Sequence, residues 1–326
     1  MKAVVCEAFG PVEALRVREV PPPRPGPGQL LIEVRAASLN YLDALIVQGA
    51  YQLKPRLPFT PGAEAAGIVA AVGAGVSGFS AGDRVVAFAG SGCFAQFCIV
   101  DAGQAVALPA VLSHEDGAAF LLAYGTALHA LRDVAALEAG ETLLVLGAAG
   151  GVGAAAVGIG KAMRATVIAA ASSAEKLALC RTLGADETIN YATEDLRARI
   201  LELTGGAGAG VVFDPVGGQY TEPALRATAW GGRLLVVGFA AGDIPRIPLN
   251  LALLRERVLA GVYWGEWIRH DPEGHQRNVR QLLEWIEGGA LKLAVTERIG
   301  LAQVPDALGR MLARKAKGKL LVLPFA

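Results

Sequence analysis

The run Leu143-Leu144-Val145-Leu146-Gly147-Ala148-Ala149-Gly150-Gly151-Val152-Gly153 is the part of this chain best suited to holding a ligand. Its apolar half reads as a buried strand, glycines crowd the exit, and an Ala-rich segment through Met163 has helix length. A strand that turns tightly into a helix leaves backbone N–H groups and the positive end of a helix dipole facing one point, which suits a pyrophosphate. Glycine is needed there because a Cβ would clash in the turn or hold the phosphate away. The G-x-G-x-x-G spacing is matched as Ala148-x-Gly150-x-x-Gly153, with alanine in the place of the first glycine. A second strand over 165–171 follows at βαβ spacing, so the run reads as a dinucleotide site rather than a structural turn.

The tip of that second strand decides which dinucleotide. A site for the 2′-hydroxyl form carries Asp or Glu there, roughly 20 residues past the glycines. This chain instead reads Ala170-Ala171-Ser172-Ser173-Ala174-Glu175-Lys176. Two hydroxyls and an ammonium suit a 2′-phosphate, which a carboxylate would repel. The expected cofactor is therefore NADP(H), provided that Glu175 points away. Taken singly, Ser173 reads equally as a helix N-cap and Lys176 as a solvated helix residue.

Three levels of organisation must position these groups. Residues 1 to about 120 are strand-like and punctuated by Pro21-Pro22-Pro23, Pro25-Gly26-Pro27-Gly28, Thr60-Pro61-Gly62 and Ala81-Gly82-Asp83. Strands are expected over 29–36, 67–72 and 84–89. A helix capped by Ser113 and Asp116 runs to about 137, with a break expected near Gly125. Strands at 142–147, 165–171, 187–190, 210–214, 232–238 and 258–264 then alternate with helices, which implies a six-stranded parallel sheet wound on both faces. Helices over 275–288 and 302–313 and a strand over 319–323 complete the chain.

Composition excludes several classes of function. The 326 residues carry 30 basic and 30 acidic side chains, so no net field recruits nucleic acid or an anionic membrane. The longest apolar run is broken by glycines and fits strand plus helix better than a bilayer span. The first residues enter a strand pattern with no h-region or cleavage site, so no leader is expected, and the cysteines at 6, 93, 98 and 180 form no metal or disulfide spacing. A reducing cytoplasm is the expected location.

Several separate motifs, in order, carry a family resemblance. They are Asn40-Tyr41-Leu42-Asp43 with Gly49-Ala50-Tyr51, Pro61-Gly62-Ala63-Glu64-Ala65-Ala66-Gly67, Ala81-Gly82-Asp83-Arg84-Val85 and Tyr124-Gly125-Thr126-Ala127. The glycine run follows, then Leu183-Gly184-Ala185-Asp186 before Asn190-Tyr191, Asp214-Pro215-Val216-Gly217-Gly218, and Gly318-Lys319. Over nearly its whole length the chain resembles the zinc-free quinone oxidoreductase branch of the medium-chain dehydrogenase/reductases. That resemblance implies an α/β protein in which a Rossmann doubly wound sheet (123–267) is inserted into a GroES-like, β-rich catalytic domain (1–122, with 268–326 returning to it). It also implies a substrate cleft between the domains; the apolar run Gly261 to Trp267 at the sixth strand reads as an edge strand that a second copy would cover, so a homodimer is expected.

The resemblance further assigns roles to residues. Where zinc-dependent relatives place Cys, His and Cys, this chain has Asn40, Ala63 and the pair Ala118-Ala119, none of which supplies a thiolate or imidazole. His114, His129, His270 and His275 are scattered and form no ligand set, so no metal is expected. Without a Lewis acid, the expected reaction is hydride transfer to an acceptor already electrophilic, a quinone or an α,β-unsaturated carbonyl. Asn40 is expected to donate to the substrate oxygen, Tyr51 to give a proton or else wall the pocket, and Asp43 to order the Asn40 loop. Ala149, Gly150, Gly151 and Val152 are assigned to the pyrophosphate and Thr126 to the nicotinamide side. Ser172, Ser173, Lys176 and Tyr191 take the 2′-phosphate and adenine, and Gly238 and Phe239 the carboxamide. Lys319 is expected to reach back toward the cofactor, and Trp264 to wall the cleft or simply to pack. An enoyl-thioester reductase, with Arg255, Arg257, Lys315 and Lys317 near the cleft mouth, and a non-enzymatic NADPH-binding protein are the alternatives.

The strand-tip reading makes a first prediction. NADPH should bind more tightly than NADH, and Lys176→Ala should remove most of the difference while sparing NADH. Loss of one charge-assisted contact costs about 1.5–3 kcal/mol, roughly 10- to 150-fold in affinity. Equal affinities of the unsubstituted chain for both cofactors, by fluorescence titration, would refute it.

Overall fold

Alternation at Leu30, Ile32 and Val34, all fully buried, builds the longest strand of a computed structural model that describes residues 1–326. In chain order the first leg contains β1 (Lys2–Val5), β2 (Arg16–Glu19), β3 (Gln29–Leu39), α1 (Tyr41–Val47), β4 (Glu64–Val72), β5 (Arg84–Phe88), β6 (Phe97–Asp101) and β7 (Ala105–Ala107). Helix α2 (His114–Leu128) ends this leg. The second leg runs β8 (Thr142–Leu146), α3 (Gly151–Ala162), β9 (Thr166–Ala171), α4 (Ala174–Thr182), β10 (Glu187–Asn190), α5 (Leu196–Leu203) and β11 (Ala209–Asp214). It continues with α6 (Thr221–Arg226), β12 (Thr228–Val236), α7 (Asn250–Leu253), β13 (Val258–Gly261), α8 (Trp264–His270) and α9 (Pro272–Glu287). The last leg is β14 (Val295–Ile299), α10 (Val304–Leu312) and β15 (Lys319–Val322).

The chain divides into two units, 1–122 with 295–326, and 123–294. In the first, strands run in the order β14-β15-β3-β4-β5-β7, with β6 also on β3. Both ends of the sequence meet here, because β15 pairs antiparallel with β3 through Leu320↔Leu39, Leu321↔Ser38 and Val322↔Ala37. Leu30, Ile32, Leu39, Phe94, Val304, Leu308 and Leu320 belong to one buried cluster.

The second unit is a six-stranded, all-parallel sheet in the order β10-β9-β8-β11-β12-β13. Leu143 to Leu146 are all fully buried, as a strand covered on both faces requires. Helices α5 and α6 supply Leu196, Ile200, Ala224 and Leu225 to a cluster with Leu144, Ile168 and Val212. The expected fold class is thus the observed one. No helix is long and apolar enough to cross a membrane.

Three expectations need correction. The sixth strand stops at Gly261, and Trp264 begins α8. Helix α2 does not break at Gly125; it continues to Leu128 and passes into a π-helical turn, His129–Val134. Gly125 makes room instead, since a Cβ there would lie 3.0 Å from the Trp264 indole. The return to the first unit comes at Val295, not near 268. Helix α9 stays with the second unit because Asn278 donates to Asp133 (2.8 Å), while the Tyr124 hydroxyl donates to Lys292 O and accepts from Ala294 N.

His275 of α9 generates a pH prediction. It is 5 % exposed and edge-on to Trp264 at 5.6 Å, and its Nδ1 has no hydrogen-bond partner. Burial pushes its pKa down from 6.5 to about 4. Between those values only the unfolded chain takes the proton, so stability falls as pH drops from 6.5 toward 4, by about 3 kcal/mol at the lower end. His275→Leu should flatten that part of the profile in urea unfolding; parallel curves for the two proteins would refute it.

Candidate functional site

The strand-to-helix turn after β8 is made by Gly147, which sits at φ +57°, one residue before the alanine matched to the first motif glycine. Gly153 lies where a Cβ would come within 2.3 Å of Gly147 O, so α3 can start this close to the strand only with glycine there. Gly150 is the N-cap, and Ala154 N is the donor that closes the first helical turn onto Gly150 O (2.7 Å). The N–H groups of Gly151, Val152 and Gly153 precede that bond and have no partner within the helix. With the dipole of a 12-residue helix behind them, they form an anion cradle. Ala149 is buried just before it.

At the tip of β9, Lys176 Nζ donates to Ser172 Oγ at 3.1 Å, so the ammonium and one hydroxyl converge as the sequence suggested. Ser173 has the other role open to it: its Oγ accepts from Lys176 N (3.3 Å) and caps α4. Tyr191 follows β10, and its ring lies 4.4 Å from that of Tyr220. Gly238 and Phe239 lie beyond β12, where Val237 N and Gly238 N both donate to Asp214 O (2.9 and 3.3 Å). Asp214 shapes this corner. Its Oδ1 accepts from Val216 N and Gly217 N at 2.8 Å each, its Oδ2 accepts from Thr221 Oγ1 at 2.6 Å, and burial pushes its pKa up.

The cradle, Ser172 with Lys176, Tyr191, and Gly238 with Phe239 all lie just past the carboxyl ends of strands β8, β9, β10 and β12. That is where open parallel sheets take ligands. Thr126 is half-buried on α2, and Trp264 is a buried packing residue, 3 % exposed. A dinucleotide carrying a 2′-phosphate fits this set: a helix terminus that only glycine permits, and a strand tip where two serines rather than an acid follow the last residue and the Lys176 ammonium turns back onto Ser172.

The first unit holds a buried polar cluster at the start of α1. Asn40 N donates to Asp43 Oδ2 (2.7 Å) in a capping box, so Asp43 orders the Asn40 loop as expected. Burial raises the Asp43 pKa to about 7. The Asn40 amide, however, is committed within the unit. Its Nδ2 faces Ser38 O (3.3 Å), Ser38 Oγ (3.2 Å) and Glu64 Oε1 (3.1 Å), and its Oδ1 accepts from Lys319 Nζ (2.8 Å). Both N–H groups are engaged, so Asn40 has none to give an acceptor oxygen, which corrects the donor role expected for it.

Lys319 is corrected for the same reason. It is 1 % exposed, and its three N–H groups go to Ser38 Oγ (2.8 Å), Asn40 Oδ1 and Glu64 Oε1 (3.0 Å), leaving none for a cofactor. Ser38 and Glu64 were not singled out from the sequence; the signal for Glu64 was an acid inside the otherwise apolar run Ala63-Glu64-Ala65-Ala66. Zinc does not fit this set. Ala63 offers a methyl, Asn40 holds an ammonium, and no three His, Cys, Asp or Glu side chains are grouped to bind a metal ion. Tyr51 is half-buried in the segment that follows α1.

Comparison with known proteins agrees with this architecture. Residues 26–110 match the alcohol dehydrogenase GroES-like domain, and residues 151–288 match the family described as zinc-binding dehydrogenase. A quinone oxidoreductase of Pseudomonas aeruginosa is 35 % identical over 329 residues, covering 99 % of each chain. The quinone oxidoreductase-like protein 2 of Rattus norvegicus is 36 % identical over 98 % of this chain and 91 % of its own length. Among solved structures, the Escherichia coli quinone oxidoreductase complexed with NADPH superposes with a TM-score of 0.94 at 30 % identity, over 99 % of this chain and 100 % of that one.

Proposed function

Because the chain belongs to the zinc-free quinone oxidoreductase branch of the medium-chain dehydrogenase/reductase superfamily, we propose that it is an NADPH-dependent reductase of a quinone or a quinone-like α,β-unsaturated carbonyl. The observation that carries this reading is the strand tip of β9, where Lys176 and Ser172 converge at 3.1 Å and neither the last strand residue nor the two serines after it is an acid. When bound, NADPH supplies a hydride. The chain supplies orientation. The N–H groups of Gly151, Val152 and Gly153 hold the pyrophosphate, Lys176 and Ser172 hold the 2′-phosphate, and the Tyr191 ring flanks the adenine. The backbone at Gly238 and Phe239 takes the carboxamide, with Thr126 on the nicotinamide side.

The acceptor class follows from what the first unit offers. Its metal-ligand positions carry a methyl and an amide already bound to an ammonium, so an alcohol would find no Lewis acid to lower its pKa. A quinone or enone is already electrophilic and needs only a proton as charge develops on oxygen. Tyr51 gives that proton, and Asn40 acts by holding the loop ahead of α1. The four cysteines are free and buried, which suits the cytoplasm as its location.

The chain works as a homodimer. Strand β13 ends the parallel sheet with Val258 49 % and Leu259 36 % exposed, an apolar edge that pairing with a second copy would cover. Sedimentation should give about twice the 33.6 kDa chain mass, and Leu259→Lys should shift it toward one; a monomeric unsubstituted chain at micromolar concentration would refute this.

Tyr51→Phe tests the chemistry. It should lower enone turnover by about 10²-fold or more with NADPH affinity unchanged, since only the hydroxyl is lost. The loss on quinones should be smaller, because water can protonate the stabilised hydroquinone oxyanion. Full activity of the variant on every acceptor would reduce Tyr51 to a pocket wall. A chain that binds NADPH but oxidises it with no quinone, enone or enoyl thioester would overturn the enzymatic reading.

A further inference from the structure

Two segments, 38–40 and the start of β4, close around one ammonium from the far end of the chain. Lys319 Nζ donates to Ser38 Oγ at 2.8 Å, Asn40 Oδ1 at 2.8 Å and Glu64 Oε1 at 3.0 Å, which uses every N–H it has. Glu64 is fully buried. Its Oε1 also accepts from the Ser38 hydroxyl and from Asn40 Nδ2, and its Oε2 accepts from Leu122 N at 2.7 Å. A second carboxyl, Asp43, is 1 % exposed and close enough to interact with both charges; one of its oxygens caps α1 and the other has no hydrogen-bond partner. These are oxygen cages of hydrogen-bond dimensions, not the 2.0–2.6 Å of hard-metal coordination. The one cation in this cage is paired with Glu64, and the chain itself provides it.

We propose that Lys319 is the positioning residue of the first unit: its ammonium is a built-in cation that locks Asn40, Glu64 and the head of α1, and without it the cage becomes a site for a small primary ammonium ion. Lys319→Ala removes three carbons and the nitrogen, so n-propylammonium matches the missing atoms. Through Asn40 the ammonium holds the start of α1 and hence the segment bearing Tyr51, a link that rests on the function proposed above.

Breaking a buried pair from one side strands the other charge, so Lys319→Ala should melt roughly 10 °C lower than the unsubstituted protein. Millimolar n-propylammonium should raise that Tm saturably and return turnover on a quinone. Tetramethylammonium, which has no N–H, and sodium at equal ionic strength should do neither. NADPH affinity should stay constant throughout. Should Lys319→Ala fail to fold, Lys319→Met and the double variant Lys319→Met/Glu64→Gln decide, because removing both charges should recover at least half of the Tm lost by removing one. An unchanged Tm in Lys319→Ala, equal rescue by tetramethylammonium, or a double variant no more stable than Lys319→Met would overturn the proposal. The melting measurements need no substrate, so an unsubstituted chain without reductase activity would sink the proposed function and leave them to decide the cage.

Discussion

A carboxylate and an ammonium withdrawn from water persist only where every remaining lone pair and N–H finds a partner. Glu64 and Lys319 impose that condition on the first unit. Strand β15 must lie beside β3 in one register, Leu320 against Leu39, for Lys319 to reach Ser38 and Asn40. A slip by one residue would turn Lys319 to the opposite face of the sheet. Strand β4 must begin at Glu64, and α1 must be capped by Asn40, because each supplies an atom the pair requires. The apolar cluster around Leu30, Phe94 and Leu320 supplies most of the burial, whereas the ion pair selects one arrangement of it.

The second unit obeys a related rule with the opposite outcome. A parallel sheet covered on both faces satisfies its own ladders and leaves unpaired backbone groups at the helix starts beyond the strand ends. At α3 those groups remain available, since Gly147 and Gly153 bring the helix close without a side chain in front of it. At the end of β11 they are consumed, because Asp214 takes two N–H groups and a hydroxyl and freezes the corner that Gly238 and Phe239 share. One end of the sheet therefore carries a rigid wall and an open cradle together. Binding and rigidity come from the same accounting of backbone donors.

Much of the site was legible because its signals are local. Glycine spacing, the absent acid at 171–173 and the Ser113–Asp116 cap each involve a few neighbouring residues whose backbone geometry is set within one or two turns. Family motifs added the long-range order. What escaped was set by partners remote in sequence. The Asn40 N–H groups are used by Ser38 and Glu64 and its oxygen by Lys319, 279 residues away, and a loop asparagine reads the same whether its N–H groups are free or used. Gly125 looked like a helix breaker because the indole that needs its missing Cβ lies on another helix.

By itself, the sequence determined the fold class, the six parallel strands, the glycine cradle and the chemistry of the strand tip, since periodicity, turn glycines and side-chain charge act over short range. Only the tertiary structure decided that α9 belongs with the second unit, that Trp264 starts a helix and packs, and that Lys319 serves the interior of the first unit rather than a cofactor. The reason is physical. A charged or amphipathic side chain has several environments open to it along a chain, and burial with specific partners selects one of them.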